Sequence, residues 1–118
     1  MTNSLQIRVQ IEKECAVMYL QGRVSIETSP DFRDQLLAML RRPSPPEMIS
    51  IDLAGVSYMD TSGIATLIQA LKVARVPGIA IHLEGLQGRI LHLFEATGIG
   101  SLFQTNEVTN NSSTTVVS

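Results

Sequence analysis

The sequence has few cysteines and aromatic residues: one cysteine, no tryptophan and 4% aromatic residues in 118 positions. A single cysteine excludes an internal disulfide and a zinc cluster built from several cysteines. Cys15 lies in an apolar stretch, which favours a buried structural thiol in a cytosolic protein.

Strong charge of either sign is also absent. Nine Lys and Arg against eleven Asp and Glu give a formal net charge of -2, so no electrostatic footprint indicates nucleic acid or an anionic membrane. No apolar run reaches the roughly eighteen residues of a membrane-spanning helix. Residues 5–9 alternate in polarity where a signal peptide would have an apolar block. We therefore expect a cytoplasmic protein that binds another protein or a small molecule.

The hydrophobic residues, 44% of the chain, are enough for one core, and their spacing predicts the order of elements. Alternation predicts a strand at 5–11, and apolar runs predict strands at 15–20, 48–53 and 79–83, the second ending near Gly22. Helical spacing follows at 32–40, 64–71 and 90–94, with Ser29 as the cap of the first helix and Pro30 in its first turn. This order predicts an α/β fold with a mixed sheet and right-handed crossovers between the later strands.

The last residues, 105–118, are polar and repetitive and have no periodic apolar pattern. Such composition is typical of a flexible tail. The predicted domain therefore ends at residue 104.

A turn rich in hydroxyl groups separates the third strand from the second helix: Asp60, Thr61, Ser62 and Gly63. Asp60 is placed to cap the helix through its side chain. Free backbone N–H groups and the positive end of the helix dipole favour an added anion at this place. The turn therefore suits reversible phosphorylation, although a capping Asp and an ordinary first-turn Ser would give the same local pattern.

The strand, turn and helix of residues 49–64 resemble the signature of the STAS family, the anti-sigma factor antagonists. The Gly-x-aliphatic segment at 22–24 resembles the family's entry to its first helix. Residues 83–86 and 97–99 resemble its closing strand and helix. The resemblance implies a single STAS-like domain over residues 1–104, with a mixed four- to five-stranded sheet and helices packed against it.

The resemblance also implies a function without catalysis or a cofactor. Such an antagonist binds an anti-sigma factor that is also a serine/threonine kinase, and this binding frees a sigma factor. The kinase phosphorylates the second hydroxyl residue of the turn, which is Ser62 here, with Thr61 as the alternative acceptor, and a protein phosphatase reverses the reaction.

One position departs from the family pattern. Many members have an Asp after the second strand, close to the phosphorylated serine, and the matching residue here is Ser25, with Glu27 two positions later. Ser25 could serve as a hydrogen-bonding substitute and Glu27 as a displaced carboxylate. The predicted partner surface comprises Ser25, Glu27, Tyr58, Met59, Asp60, Thr61, Ser62 and Gly63, although Tyr58 and Met59 also fit a role in the core.

The same residues do not fit the motifs of two classes of hydrolase. Asp60-Thr61-Ser62-Gly63 has one residue more than the Asp-Thr/Ser-Gly triplet of aspartic proteases, and the helical periods do not fit their β fold. Ser62 lacks the flanking pattern of a nucleophile elbow. Neither His82 nor His92 has a cysteine or carboxylate at the spacing of known metal ligands, so no metal site is predicted. A scaffold subunit of a stress-signalling assembly, or a stand-alone STAS partner of a membrane transporter, remains the alternative function.

Overall fold

A five-stranded sheet forms the centre of the computed structural model, which describes residues 4–105. The strands follow one another across the sheet in chain order. They are β1 (Leu5–Glu12), β2 (Cys15–Val24), β3 (Met48–Met59), β4 (Ala80–Glu84) and β5 (Gln104–Thr105). β1 pairs antiparallel with β2, and every other neighbouring pair is parallel. The predicted α/β class with a mixed sheet is therefore confirmed.

Three helices connect the parallel strands: α1 (Ser29–Leu40), α2 (Thr61–Arg75) and α3 (Gly88–Thr97). A short 3₁₀ turn, Ile99–Leu102, precedes β5. Each crossover advances the chain by one strand in the same direction, so right-handed connections bring the helices to the same face of the sheet. Within residues 4–105, none of the helices is long and apolar enough to cross a membrane.

The core is built from rows of side chains that cross the sheet. Met18, Ile51 and Leu83 are paired in register on β2, β3 and β4, and all three are fully buried. Ala16, Ile49 and Ile81 form the next row on the same face. Since successive side chains on a strand alternate between faces, this face accounts for the apolar periodicity of the sequence.

The opposite face carries a more polar row. Tyr19, Asp52 and Glu84 are aligned by the same register and are half-buried. Arg8 of β1 lies opposite Tyr19, and its guanidinium carbon is 4.1 Å from the centre of the Tyr19 ring. The two faces therefore differ in polarity, as the alternation of β1 predicts.

Two strands continue further than predicted. β2 continues past Gly22 to Val24, and β3 continues from Leu53 to Met59. Gly22 has φ of +116°, and a Cβ there would collide with the carbonyl oxygen of Ser4. Two register shifts between β2 and β3 interrupt the alternation in this part of the sheet, which is why the apolar pattern ends earlier than the strands.

Two predicted boundaries also differ from the structure. The cap position of α1 is Thr28, and Ser29 is the buried first residue of the helix, so the predicted Ser29 cap is wrong by one residue. Thr105, predicted as the first residue of the tail, ends β5 and pairs with Leu83. The rest of the predicted tail, 106–118, lies outside the described residues.

The buried rows predict a large cost for truncation at the centre of the sheet. Ile51 is fully buried in β3, so Ile51→Ala removes apolar contacts and leaves a cavity. We expect the free energy of unfolding to fall by about 3 kcal/mol, as measured by urea denaturation. Val76→Ala is the control because Val76 is 92% exposed, and its change should stay below about 0.5 kcal/mol. Equal losses for the two variants would contradict the described core.

Candidate functional site

The hydroxyl turn lies at the carboxyl ends of β2 and β3, where β3 leads into α2. The backbone N–H of Asp60 donates to the carbonyl of Val24, 3.1 Å away, and so joins the turn to the end of β2. Met59, the last residue of β3, is buried directly before it. The position of the turn is therefore set by two adjacent strands of the sheet.

Asp60 caps α2, as predicted. Its Oδ1 accepts a hydrogen bond from the backbone N–H of Ser62 at 3.0 Å and another from the Ser62 hydroxyl at 2.5 Å. The Asp60 carbonyl then accepts the first helical bonds from Gly63 and Ile64. The cap satisfies a backbone donor that the first turn of the helix would otherwise leave unpaired, and it orients the Ser62 hydroxyl.

The second oxygen of Asp60 contacts a different segment. Asp60 Oδ2 accepts a hydrogen bond from the backbone N–H of Ile26 at 3.2 Å, in the loop between β2 and α1. In that loop, the buried Ser25 accepts a bond from the N–H of Glu27 through its Oγ. Ser25 also donates its own N–H to Thr28 Oγ1 at 2.9 Å. One carboxylate thus connects the start of α2 to the loop before α1.

These hydrogen bonds favour the charged form of Asp60. The Ser62 hydroxyl is the main cause of a lowered pKa, and the backbone N–H groups of Ser62, Ile26 and Gly63 add smaller effects in the same direction. Partial desolvation acts in the opposite direction, but the pKa of Asp60 remains below its ordinary value. At neutral pH the Ser62 hydroxyl therefore lies beside a negative charge.

Gly63 allows α2 to approach the sheet closely. A Cβ built at this position would lie 2.8 Å from Met59 Cγ and 2.8 Å from Val24 Cγ1. Both of these side chains are buried, so they have little room to move away. Gly63 is thus required by packing, and it does not itself present a surface to a partner.

The outward side of the turn combines polar and apolar groups. Thr61 is exposed and Ser62 is half-buried. Tyr58 is 39% exposed, and the Arg23 guanidinium carbon lies 4.1 Å from its ring centre. Ile26 donates its backbone N–H to the Asp60 carboxylate, and the residue is 73% exposed. An exposed aliphatic side chain and an exposed aromatic ring therefore belong to the loop and strand end that adjoin the Ser62 hydroxyl.

The structure divides the predicted site residues into three groups by exposure. The exposed residues are Glu27, Tyr58 and Thr61, the half-buried ones are Asp60 and Ser62, and the buried ones are Ser25, Met59 and Gly63. Sequence reasoning missed Ile26, because an isolated Ile in a short polar loop gives no sign of which way it faces. Among residues 4–105 there is no cluster of three or more His, Cys, Asp or Glu side chains suited to a metal ion.

Comparisons with known proteins identify the family and the fold. The family model described as Mlab, STAS domain, matches residues 7–104. The anti-sigma-B factor antagonist of Staphylococcus epidermidis is 31% identical over 88 residues, which are 75% of this chain and 80% of that protein.

Two solved structures share the fold. The anti-sigma factor antagonist from Mycobacterium paratuberculosis has a TM-score of 0.82 at 16% identity, covering 92% of this chain and 91% of that one. The Bacillus cell fate determinant SpoIIAA in its phosphorylated form has a TM-score of 0.67 at 15% identity, covering 89% of this chain and 93% of that one.

The capping role of Asp60 predicts a pH-dependent loss of stability. At pH 7 we expect Asp60→Ala to lower the free energy of unfolding by about 1 kcal/mol. Because folding lowers the pKa of Asp60, its charged form stabilises the fold above the unfolded pKa of about 3.9, and this contribution is lost as the pH falls through the folded pKa. The difference between wild type and variant should therefore shrink as the pH is lowered from 7 to about 2.

Urea denaturation at several pH values measures this difference. Asp34→Ala serves as the control, since Asp34 is an exposed carboxylate on α1 whose ion pair with Arg33 spans 3.4 Å. Its effect should stay below about 0.5 kcal/mol. A difference for Asp60→Ala that grows on acidification would contradict the assigned role.

Proposed function

This chain belongs to the STAS domain family of anti-sigma factor antagonists, and we propose that it frees a sigma factor by occupying the anti-sigma factor, until phosphorylation of Ser62 ends that contact. The position of the Ser62 hydroxyl is the observation that supports this proposal most. This hydroxyl lies at the N-terminus of α2 on a half-buried residue, and it donates to the charged Asp60 carboxylate. The partner is then an anti-sigma factor with serine kinase activity, and a phosphatase restores the free hydroxyl.

The partner binds a surface around the turn, which we define as the docking surface: Ile26, Glu27, Tyr58, Thr61 and Ser62. Ile26 and Tyr58 supply apolar area that a partner can cover, and buried aliphatic and aromatic anchors contribute much of the energy of protein interfaces. Ser25, Met59, Asp60 and Gly63 support this surface from beneath or within the turn.

Phosphorylation changes the charge of this surface at its centre. The phosphate carries a charge of about -1.5 to -2 and replaces the hydroxyl proton that is hydrogen-bonded to Asp60. Asp60 Oδ1 and the Ser62 oxygen are 2.5 Å apart, so the carboxylate and the phosphate repel each other. The dipole of α2 offsets part of the added charge. The phosphate is thus directed outward, towards the partner.

The added charge is large enough to act as a switch. A partner carboxylate near 4 Å would meet a repulsion of roughly 4 kcal/mol per unit charge at an effective dielectric of about 20. A loss of about 1.4 kcal/mol already weakens binding tenfold. Desolvation of the dianion beneath an apolar partner surface adds to this cost. Unmodified protein therefore binds, and modified protein does not, without a change of fold.

The remaining features of the proposal follow from the same role. The protein acts by binding and performs no catalytic step of its own. The domain includes β5 and therefore reaches Thr105. The activity belongs to the cytoplasm, where a kinase partner and a sigma factor meet. The SpoIIAA structure in a phosphorylated form supports a phosphorylated state for this fold.

The modification is tested with purified full-length protein, a candidate anti-sigma kinase and MgATP. We expect intact mass spectrometry to show one added phosphoryl group, mapped to Ser62. Ser62→Ala should block the addition, and Thr61→Ala, which changes the neighbouring exposed hydroxyl, should not. Titration calorimetry should show binding at least about tenfold weaker after phosphorylation. Tight binding that persists after full modification of Ser62 would refute the switch, and stable binding without any modification would favour a scaffold.

The contribution of Ile26 is tested separately. Ile26→Ser replaces a side chain that is 73% exposed, so it removes apolar contact area with little effect on the core. We expect the affinity for the anti-sigma factor to fall about tenfold, with unfolding by urea unchanged. Val76→Ser is the matched control, since it makes a similar change at the C-terminal end of α2, the end away from the turn. If both variants bind like wild type, Ile26 does not belong to the docking surface.

A further inference from the structure

β1 forms one edge of the sheet, and its outer backbone groups follow from its pairing with β2. The carbonyl of Ser4 accepts a hydrogen bond from the N–H of Arg23 at 3.0 Å. Antiparallel pairs alternate between bonded and non-bonded, so the even-numbered residues of β1 direct their N–H and C=O groups to β2. The odd-numbered residues, including Val9 and Ile11, direct theirs away from the sheet.

This edge has few of the features that normally prevent a strand from pairing with another chain. Edge strands are often short or bulged, or they carry charged side chains, especially lysine, or proline. β1 is eight residues long, pairs with β2 without a register shift, and contains neither residue. Val9 is 37% and Ile11 is 49% exposed, on the same side of the strand. Among residues 4–105 nothing pairs with the outer side of β1, so this edge is open both to backbone hydrogen bonds and to apolar contact.

We propose that β1 pairs antiparallel with β1 of a second copy of this chain, with Gln10 on the two-fold axis. In this register Val9 of one copy lies opposite Ile11 of the other, and each such pair exchanges both outward backbone hydrogen bonds. Arg8 lies opposite Glu12, so the two charged residues of β1 form opposite-charge pairs across the axis. One register thus matches the backbone groups, the exposed apolar side chains and the charges.

Neighbouring registers match less well. A two-fold axis at Arg8 would bring two guanidinium groups face to face, which is destabilising. An axis at Val9 would place Arg8 opposite Gln10 and leave no direct ion pair. An axis between residues would bring the odd-numbered residues opposite even-numbered ones, whose backbone groups are already bonded to β2. The axis at Gln10 is therefore the register that the sequence of β1 favours.

The geometry of Arg8 agrees with this pairing. Its guanidinium lies over the Tyr19 ring on the more polar face of the sheet, the face on which Glu12 also lies. Stacking on the ring limits the conformations of the side chain, so less entropy is lost when it pairs with Glu12 of the second copy. Val9 and Ile11 would meet their counterparts on the opposite face, beside the buried rows.

Such a dimer would be modest in affinity and separate from the docking surface. An interface made mainly by two strand edges lies at the small end of specific interfaces, where weak and transient association is found. The antiparallel arrangement directs the two Ser62 turns towards opposite ends of the joined sheet. Both turns therefore stay accessible in the dimer.

Sedimentation analysis of the full-length protein over a wide concentration range tests the proposal. We expect a reversible monomer–dimer equilibrium. Arg8→Glu and Glu12→Arg should each weaken the dimer about tenfold, because each reverses two symmetry-related pairs from attraction to repulsion. The double variant, with both charges exchanged, should recover the wild-type dissociation constant to within about threefold. Arg42→Glu makes the same charge change at an exposed position outside β1 and should have no effect.

A backbone variant provides a second measurement. Val9→Pro removes an outward N–H that makes no bond to β2, so the fold should persist by circular dichroism while the dimer is lost. Ser62→Asp should dimerise like wild type, which separates this surface from the proposed switch. A protein that stays monomeric at every concentration, or a double variant as weak as the single ones, would overturn the proposal.

Discussion

The geometry of the turn depends on the Asp60 carboxylate, which connects the start of α2 to the loop before α1. It accepts bonds from the Ser62 backbone, the Ser62 hydroxyl and the Ile26 backbone. Each bond favours the charged carboxylate, so the same contacts that fix the geometry also keep a negative charge beside the hydroxyl. The helix start, the loop before α1 and the electrostatics of Ser62 therefore cannot vary independently.

This arrangement explains how Ser25 can stand where many members of the family have an Asp. Its hydroxyl accepts the N–H of Glu27, a turn contact that an Asp side chain could also make. As a neutral residue, it adds no second carboxylate near Asp60, whereas a like charge there would raise the pKa of Asp60. The Glu27 side chain is exposed, and Asp60 is the carboxylate that contacts the Ser62 hydroxyl. A phosphate on Ser62 would thus face the charge of Asp60 at close range, without an acid at position 25.

Sequence periodicity was sufficient for the elements that bury alternating side chains. Met18, Ile51 and Leu83 lie in strands predicted from apolar runs, and the cap at Asp60 followed from its position before a helical pattern. The last part of β3 was missed because Gly55 and the register shifts there interrupt the alternation. β5 was missed since two residues are too few to give a period. The exposure of Ile26 depends on the path of a loop, which local pattern does not encode.

The surface around the turn, at the end of the sheet, and the outer side of β1, at its edge, depend on different parts of the fold. The proposed docking surface lies where β2 and β3 end, so its geometry depends on the turn, on Gly63 and on the loop whose backbone is hydrogen-bonded to Asp60. The outer side of β1 depends only on strand direction and on which backbone groups β2 has already bonded. A charge added at Ser62 would therefore alter local hydrogen bonds at the first surface and would leave the backbone of β1 unchanged. Pairing through β1 would then supply two docking surfaces for each assembly without making either one depend on the state of the other.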